Sequence, residues 1–266
     1  MKHRLLRLLA RVRLLGPVYR GYERVRAAQL PRQPDRVPAD GLAVPPPHLI
    51  TRVTGTPDVA WFLESGRLAA AAIREAVERA GTRVEALESI LDFGCGCGRV
   101  VRNWSSLKGT HVAGSDLSGA AIDWCREHLP FARFETNELA PPLAFTSDSF
   151  DLVYALSVFT HLPEALQLDW MDELSRVVRP ERFLLLTTHG ERYVERLNDE
   201  ERGRFAAGEL VVRWAEVAGT NLCTTFHPAS WVRERLITRG FEELAFVPEG
   251  ASGNPHQDLY LLRRAA

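Results

Sequence analysis

The segment LDFGCGCGRV, residues 91–100, combines residue types that could support three kinds of chemistry. Three glycines alternate with two cysteines, and Asp92 stands two residues before the first glycine. Glycines let the backbone turn sharply and approach a ligand without a Cβ in the way, whereas cysteine thiolates bind metals or take part in redox reactions. The segment alone therefore leaves open a metal site, a redox site and a backbone cradle for a cofactor.

The spacing of the cysteines disfavours the metal and redox interpretations. Cys95 and Cys97 form C-x-C, whereas structural zinc sites usually use C-x(2–4)-C with two further ligands, and redox motifs use C-x-x-C. Cys125 and Cys223 fall in other predicted elements. We therefore predict no metal site. Four cysteines without a disulfide framework also favour a reducing, cytoplasmic setting.

The glycine spacing differs from that of a dinucleotide-binding fingerprint. The G-x-G-x-x-G pattern would require a glycine at position 99, where this chain has Arg99. The observed G-x-G-x-G, with an aspartate ahead of it, is a different loop. A nucleotide-dependent oxidoreductase is therefore an alternative that the loop disfavours.

An alternation of short apolar strands and helical patterns must position this loop. The predicted strands are SILDF, THVAGSD, FARFET, FDLVYAL and RFLLLTT. The predicted helices between them are RVVRNWSSL, GAAIDWCREHL and PEALQLDWMDELSRVV. Such alternation is typical of parallel strands joined by crossover helices, so we predict a doubly wound α/β sheet. The helix RVVRNWSSL would add the N–H groups and partial positive charge of its N-terminus to the glycine loop.

Two further regions complete the predicted domain. A helix is expected before the first strand, with Thr56 as its cap, Pro57 at its first position and Gly81 as its terminator. Beyond Thr188 the alternation breaks, so residues 189–227 are predicted to form an insertion with a polar helix and two short strands. The alternation of helices and strands resumes with the helix PASWVRERLITRG. The strands FEELAFV and DLYLLRR follow and are expected to form an antiparallel pair at the sheet edge.

Polar residues follow the predicted strands where a doubly wound sheet binds its ligands. Asp116 ends the second strand, and its carboxylate could accept hydrogen bonds from both hydroxyls of a ribose. Ser118 is predicted to cap the next helix, which would leave Asp116 to the ligand. The amide of Asn137 could read an adenine edge. The ligand-facing set from these strand ends is Asp116, Leu117, Asn137, Glu138, Leu139, Ala155 and Leu156.

Over roughly residues 50–266 the chain resembles the class I S-adenosylmethionine-dependent methyltransferases. The resemblance rests on five motifs in the family's order: DFGCGCG, GSD, TNEL, DSFDLVYALSVFTHL and SRVVRP. The resemblance implies a Rossmann-like, seven-stranded, mostly parallel sheet with an antiparallel last strand, and S-adenosyl-L-methionine as cofactor. It implies that Asp92 orients the loop or the amino group, that Asp116 binds ribose and that Asn137 reaches adenine. It assigns the methionine cradle to Gly94, Gly96 and Gly98. One departure is Arg179-Pro180-Glu181-Arg182, where the family often has Arg-Pro-Gly-Gly; it brings the local backbone geometry into question.

Methyl transfer from a sulfonium is an in-line displacement in which positioning supplies much of the rate. A carbon or hydroxyl acceptor also needs a base, and histidine is the usual one near neutral pH. His161 follows the fourth strand and is the first candidate; His227 is the second, and each could instead cap a helix. His189 and His256 are weaker candidates.

The acceptor is predicted by elimination. Residues 37–266 carry a net charge of −9 (23 basic, 32 acidic), and a nucleic-acid substrate calls for a basic face. We therefore expect a small molecule: a sugar, a lipid-linked saccharide or the hydroxyl of a secondary metabolite. A non-catalytic, methyltransferase-like binding module is the other alternative. Residues expected around the acceptor are Arg52, Thr54, Trp61 and Phe62 before the first strand, and Tyr193, Trp214 and Asn221 in the insertion.

The N-terminal segment, residues 1–47, is predicted to be a separate arm and linker ahead of a domain over residues 48–266. Residues 1–36 carry ten Lys/Arg against Glu23 and Asp35, a net charge of +8. No apolar run there approaches the roughly 18 residues of a spanning helix. The pattern predicts an amphipathic helix stopped by Gly16-Pro17, then a Pro-rich linker. Its leucine face could attach to an anionic membrane surface, or pack on its own domain or on a second copy. That face carries Leu5, Leu8, Leu9, Val12 and Leu15.

Overall fold

The computed structural model describes residues 15–28, 38–254 and 256–266. Most of the leucine face predicted for the N-terminal helix lies outside these residues. Leu15 instead begins helix α1, Leu15–Ala28. Gly16 and Pro17 lie in the first turn of α1, where the missing backbone N–H of proline costs no hydrogen bond. The preceding helix that they were predicted to stop lies outside the described residues. Of the described helices, none is both long and apolar enough to cross a bilayer.

A seven-stranded sheet with the order β3-β2-β1-β4-β5-β9-β8 forms the centre of the molecule. Strands β1 to β5 run parallel, whereas β9 is antiparallel to both of its neighbours, β5 and β8. Both the predicted doubly wound fold and the antiparallel last strand are confirmed. The strands are β1 Ser89–Phe93, β2 His111–Asp116, β3 Arg133–Thr136, β4 Phe150–Ala155, β5 Val178–Thr188, β8 Phe241–Val247 and β9 Asp258–Arg264.

Helices cover both faces of this sheet, and the segment after β5 forms a small unit of its own. Two short antiparallel strands, β6 Val211–Arg213 and β7 Thr224–Phe226, pair within it, as expected. The α-helices after α1 are α2 Pro47–Thr54, α3 Val59–Arg79, α4 Gly119–His128, α5 Glu164–Val177, α6 Asp199–Ala206 and α7 Ala229–Trp231, which continues as a π-helical turn Val232–Ile237. Shorter 3-10 segments are Val84–Ala86, Val101–Trp104, Phe159–His161, Glu191–Arg196 and Ala215–Val217.

The helix predicted directly after the glycine loop is absent, and a 3-10 segment, Val101–Trp104, takes its place. The side-chain amide of Asn103 donates hydrogen bonds to the carbonyl oxygens of Arg99 and Val100, at 3.3 and 3.1 Å. Asparagine side chains that bond nearby backbone compete with regular helical hydrogen bonding. The glycine loop therefore receives no support from an α-helix N-terminus.

Two local details also differ from the sequence-based expectation. Asp58, not Thr56, caps α3, because its Oδ1 accepts hydrogen bonds from the backbone of Ala60 and Trp61. Glu181, at the first glycine position of the Arg-Pro-Gly-Gly pattern that the resemblance implies, has a positive φ of 61°. The substitution thus retains a glycine-type backbone at the start of β5, at the energetic cost of placing a side chain there.

Arg102 links the N-terminal segment to the domain. Its guanidinium is buried, and it donates to both carboxylate oxygens of Asp40, at 2.7 and 3.0 Å, and to the carbonyl oxygens of Leu42 and Ala43. Part of the predicted linker is therefore anchored on the domain, because a buried guanidinium must keep its hydrogen-bond partners.

We predict that Asp40→Asn lowers the free energy of unfolding by about 2–3 kcal/mol, because it leaves the buried Arg102 without its counter-charge. Urea denaturation followed by circular dichroism measures the change. Asp123→Asn is the matched control, because Asp123 pairs with Arg126 on the surface and exposed pairs contribute less than about 1 kcal/mol. Equal losses in the two variants would contradict a special role for Asp40.

Candidate functional site

A cavity of about 160 Å³ opens at the edge where the parallel strands end. Its lining comes from the exits of β1, β2 and β4, from α2 and from residues 219–221 of the insertion. The predicted site residues that it brings together are Asp92, Gly94, Gly96, Asp116, Leu117, Leu156 and His161. The predicted residues that do not line it are Gly98, Asn137, Glu138, Leu139, Ala155 and His227.

The glycine loop needs glycine at each of its three positions. Gly94 and Gly96 have φ angles of 82° and 53°, and a Cβ on them would come within 2.3 and 2.5 Å of Val158 and Val53. These two glycines present bare backbone to the cavity. Gly98 has a different role, because its Cβ would lie 2.4 Å from Leu129 in the core behind the loop.

The carboxylate of Asp116 holds the loop in place. Its Oδ2 accepts a hydrogen bond from the backbone of Gly96 at 2.8 Å, and its Oδ1 accepts one from the backbone of Ser118 at 2.7 Å. Burial raises the pKa of Asp116, while these backbone N–H groups and the charge of Arg52 act in the opposite direction. Ser118 is the N-cap residue of α4, as predicted, but its hydroxyl makes no capping hydrogen bond. Asp116 itself supports the start of the helix and still faces the cavity.

Asp92 lines the cavity and belongs to a buried chain of hydrogen bonds. The indole of Trp104 donates to the hydroxyl of Tyr154 at 2.8 Å, and that hydroxyl is hydrogen-bonded to the Asp92 carboxylate. Burial raises the pKa of Asp92 to about 7, although Tyr154 and the charge of Arg99 oppose the rise. A carboxyl with a pKa near neutrality gains free energy from a cation placed beside it.

Arg99 is a buried cation on the same wall, and sequence analysis did not assign it a role in the site. Its Nη2 donates to Asn254 Oδ1 at 2.7 Å and its Nη1 to the carbonyl of Gly253 at 3.3 Å. Burial lowers the pKa of Arg99, and the charge of Asp92 is the largest effect that opposes this. Among the ion pairs of residues 38–254 and 256–266, none involves Arg99. A basic residue directly after the third glycine was the available signal.

Two segments outside the sheet cover the cavity. Arg52 of α2 is exposed and lines the cavity, and its carbonyl accepts a hydrogen bond from the Asn221 side chain at 2.8 Å. The backbone of Gly219 donates to the carbonyl of His161 at 2.9 Å. The expectation that the segment before β1 and the insertion both contribute to the site is thus consistent with this geometry.

Asn137 lies behind the cavity wall. Its Oδ1 accepts a hydrogen bond from Ser115 Oγ at 2.6 Å, and its Nδ2 donates to the carbonyl of Glu138 at 2.7 Å. The exposed Leu117 and Leu139 instead lie near Gly219, at the β2 and β3 end of the site. Asn137 is therefore absent from the lining of this cavity, and its contact with adenine stays a prediction.

His161 is the only one of the four candidate histidines in the lining of this cavity. Its Nδ1 lies 2.7 Å from the carbonyl oxygen of Cys223 and must donate, because a carbonyl only accepts. The neutral ring therefore carries its lone pair on Nε2. Burial lowers the pKa of His161, which keeps that lone pair available near neutral pH.

The other three histidines have structural surroundings. His227 lies in the core, where its Nε2 is 3.1 Å from Gln167 Oε1, and burial lowers its pKa well below the usual range. His189 is buried and donates from Nδ1 to the carbonyl of Thr225. His256 is exposed and bonded to Glu249. His227 is therefore not carried into the proposal below.

A second cavity, of about 150 Å³, adjoins the first. Ser157, directly after β4, lines both and has a positive φ of 58°, a strained backbone that concentrates at functional sites. Asn254 Nδ2 and Gln257 Nε2 lie 2.6 and 2.7 Å from its hydroxyl oxygen, and its backbone N–H donates to Thr187. The four residues common to both cavities are Val53, Arg99, Ser157 and Asn254.

The cysteines of the glycine loop are buried thiols. Burial raises the pKa of both Cys95 and Cys97, which disfavours the thiolate that metal binding and redox chemistry require. Within the part of the chain that the structure describes, no group of three or more His, Cys, Asp or Glu residues is arranged to hold a metal ion.

Comparison with known proteins adds to this geometry. Residues 90–181 match the family described as "Methyltransferase domain". Methyltransferase GfsG of Streptomyces halstedii is 30% identical over 102 residues, which are 36% of this chain and 36% of that protein. The chain thus matches about a third of the length of this curated relative.

Solved structures share the fold at low sequence identity. The CcbJ methyltransferase of Streptomyces caelestis superposes with a TM-score of 0.55 at 17% identity, over 76% of this chain and 90% of that chain. Human N-acetylserotonin methyltransferase, solved in complex with SAM, superposes with a TM-score of 0.53 at 14% identity. The match covers 82% of this chain and 56% of that chain. Residues 90–181 thus match a methyltransferase domain, and the order of the seven-stranded sheet gives the chain the Rossmann-like fold that these methyltransferase structures share.

Proposed function

We propose that this protein transfers a methyl group from S-adenosyl-L-methionine to a hydroxyl of a small-molecule acceptor. The observation that carries the proposal is the pairing of opposite charges around the glycine loop. Asp92 and Arg99 are a buried carboxyl and a buried guanidinium on one cavity wall. Together they match the ammonium and carboxylate of an amino-acid group, which is the methionine end of the cofactor.

The rest of the cavity fits the nucleoside. Asp116 has one backbone hydrogen bond on each carboxylate oxygen, which leaves lone pairs for the ribose hydroxyls. Leu117 offers an exposed apolar surface for the flat adenine ring. When bound, the cofactor supplies an electrophilic methyl on a sulfonium. The residues of this chain hold the two reactants in line and exclude water.

His161 is the base that we propose for the acceptor. His161 lines the cavity, and the hydrogen bond from its Nδ1 to the carbonyl of Cys223 leaves the lone pair of the neutral ring on Nε2. The ring would take the hydroxyl proton as the methyl group is transferred. The acceptors that we propose are a sugar, a lipid-linked saccharide or the hydroxyl of a secondary metabolite; the names of GfsG and CcbJ identify those proteins as methyltransferases.

We further propose that α1 attaches the protein to an anionic membrane surface. Leu15 is buried against the insertion, near Val217 and Cys223, so the helix packs on its own domain at one end. Farther along, Val18 and Val25 are 48% and 59% exposed and, seven residues apart, share a face. The net charge of +8 over residues 1–36 complements an anionic surface.

Calorimetry with two ligands tests the cofactor assignment. We expect Asp116→Asn to lower the affinity for S-adenosylhomocysteine and for 5′-methylthioadenosine alike, by about 10- to 100-fold, because both ligands contain the ribose. Arg99→Gln should lower the affinity for S-adenosylhomocysteine only, because 5′-methylthioadenosine lacks the carboxylate. Equal losses for both ligands in Arg99→Gln would assign Arg99 a structural role. If the parent protein binds NAD and neither of these ligands, the proposed function is wrong.

The state of His161 can be measured without an acceptor. Because burial lowers its pKa below the ordinary value of about 6.5, the ring should be mostly neutral at that pH. Long-range ¹H–¹⁵N spectra should show the tautomer protonated on Nδ1, and His161→Gln assigns the signal. A His161 ring charged at neutral pH, or protonated on Nε2, would exclude it as the base.

Vesicle co-sedimentation tests the membrane proposal. The double variant Val18→Asp/Val25→Asp should bind vesicles containing phosphatidylglycerol less than the parent does, because it places two charges on the apolar face. Leu244→Asp is the matched control, since Leu244 is an exposed leucine on β8. Equal sedimentation of all three proteins contradicts the proposal. A loss of protein dimers in solution instead would assign this face to self-association.

A further inference from the structure

The second cavity has a polar wall that contains few charges. The hydrogen-bonding groups that line it are the hydroxyls of Thr54, Ser65, Ser157 and Tyr193 and the amides of Asn254 and Gln257. Of the residues in this lining, only Arg99 is charged, and no carboxylate accompanies it. Such a wall can orient a ligand through several hydrogen bonds but offers no counter-charge to a cation.

Hydrogen bonds fix the direction in which this wall presents its groups. Thr187 donates to Gln257 Oε1 at 2.7 Å, so the amide of Gln257 directs its Nε2 toward Ser157 and toward His189, at 2.7 and 3.5 Å. His189 donates from Nδ1, so its Nε2 is the acceptor in this contact. Burial lowers the pKa of His189 to about 3. Apart from Arg99 the wall is therefore uncharged, and the Nε2 lone pair of the nearby His189 is already engaged by Gln257.

Two aromatic side chains add flat surface to the cavity. Tyr193 stacks on His189 with ring centroids 4.0 Å apart, which fixes the phenol ring in one position. Trp61 lies on α3 and is half-buried. The volume of about 150 Å³ is that of a cavity which holds one six-membered ring. Amides and hydroxyls around a single ring, with aromatic faces beside it, suit a ring that itself carries several hydroxyls.

We propose that this second cavity is the acceptor chamber and that it binds an uncharged, polyhydroxylated six-membered ring of the pyranose type. The inference rests on the proposed methyl transfer, because the four residues shared by the two cavities form the opening through which the acceptor hydroxyl meets the cofactor. Ser157 is a positioning residue at that opening. All the lining residues except Arg99 and Ser157 lie outside residues 90–181, so the chamber is built by segments beyond the matched methyltransferase region.

Saturation-transfer-difference NMR on the full chain tests the chamber directly. The probes are the methyl glycosides of D-glucopyranose, D-galactopyranose and L-rhamnopyranose, each at millimolar concentration, with cyclohexylammonium as a cationic ring of similar size. We expect saturation transfer to at least one pyranoside and none to cyclohexylammonium. Absence of transfer to all three pyranosides, or stronger transfer to the cation, would overturn the proposal.

Variants locate the binding in this cavity. Trp61→Ala and Gln257→Leu should each reduce the pyranoside signal about fivefold or more. Trp124→Ala should leave it unchanged, because Trp124 is equally half-buried but stacks on His128 away from both cavities. If Gln257→Leu fails to fold, Trp61→Ala decides alone, because it removes a partly exposed ring from a helix surface. A signal unchanged in Trp61→Ala would place the sugar elsewhere and overturn the proposal.

Spectra with and without S-adenosylhomocysteine separate this inference from the proposed function. Pyranoside binding in a protein that does not bind S-adenosylhomocysteine would retain the chamber as a sugar site but remove methyl transfer. Binding of S-adenosylhomocysteine without any pyranoside signal would retain the cofactor assignment and reject the chamber. We expect the protein to bind a pyranoside and S-adenosylhomocysteine together. We also expect Trp61→Ala to leave the affinity for S-adenosylhomocysteine unchanged.

Discussion

The hydrogen bonds that fold the glycine loop onto the end of β2 are the contacts on which the rest of the site depends. The backbone of Gly94 and Cys95 donates to the carbonyl of Ser115, at 2.7 and 3.0 Å, and Gly96 donates to the carboxylate of Asp116. These bonds require the positive φ angles that glycine adopts at little cost. Because the loop lies against β2, the ends of β1 and β2 form one continuous surface.

This arrangement also explains the electrostatic balance of the cavity. Asp92 and Asp116 are brought to the same wall, where their negative charges repel and burial disfavours both. Arg99 and Arg52 stand nearby and offset part of that cost. Burial raises the pKa of Asp92 to about 7, and Tyr154 and the charge of Arg99 offset only part of this rise. A ligand with an ammonium group supplies a further cation, so binding relieves a cost that the folded protein carries alone.

Much of the fold could be predicted from the sequence because periodicity reports which side chains are buried. This pattern predicts the strands of the sheet and places Asp116 at the end of β2, where the structure has it. The errors concern competition between side chains and backbone, which periodicity does not record. The amide of Asn103 displaces a regular helix, and Asp58 takes the capping role expected of Thr56. The position of Arg99 in the site depends on its hydrogen bond to Asn254, which lies 155 residues away in sequence, so a local pattern does not predict it.

The two cavities suggest how one scaffold separates cofactor binding from acceptor choice. The groups that we assign to the cofactor lie at strand ends and in or directly after the glycine loop, where the sheet register fixes their positions. The groups around the second cavity come from α2, α3, the insertion and the loop before β9, which can change without disturbing that register. Ser157 and Arg99 belong to both sets. A substitution at either is therefore expected to alter both functions, whereas Trp61 and Gln257 can vary to suit the acceptor.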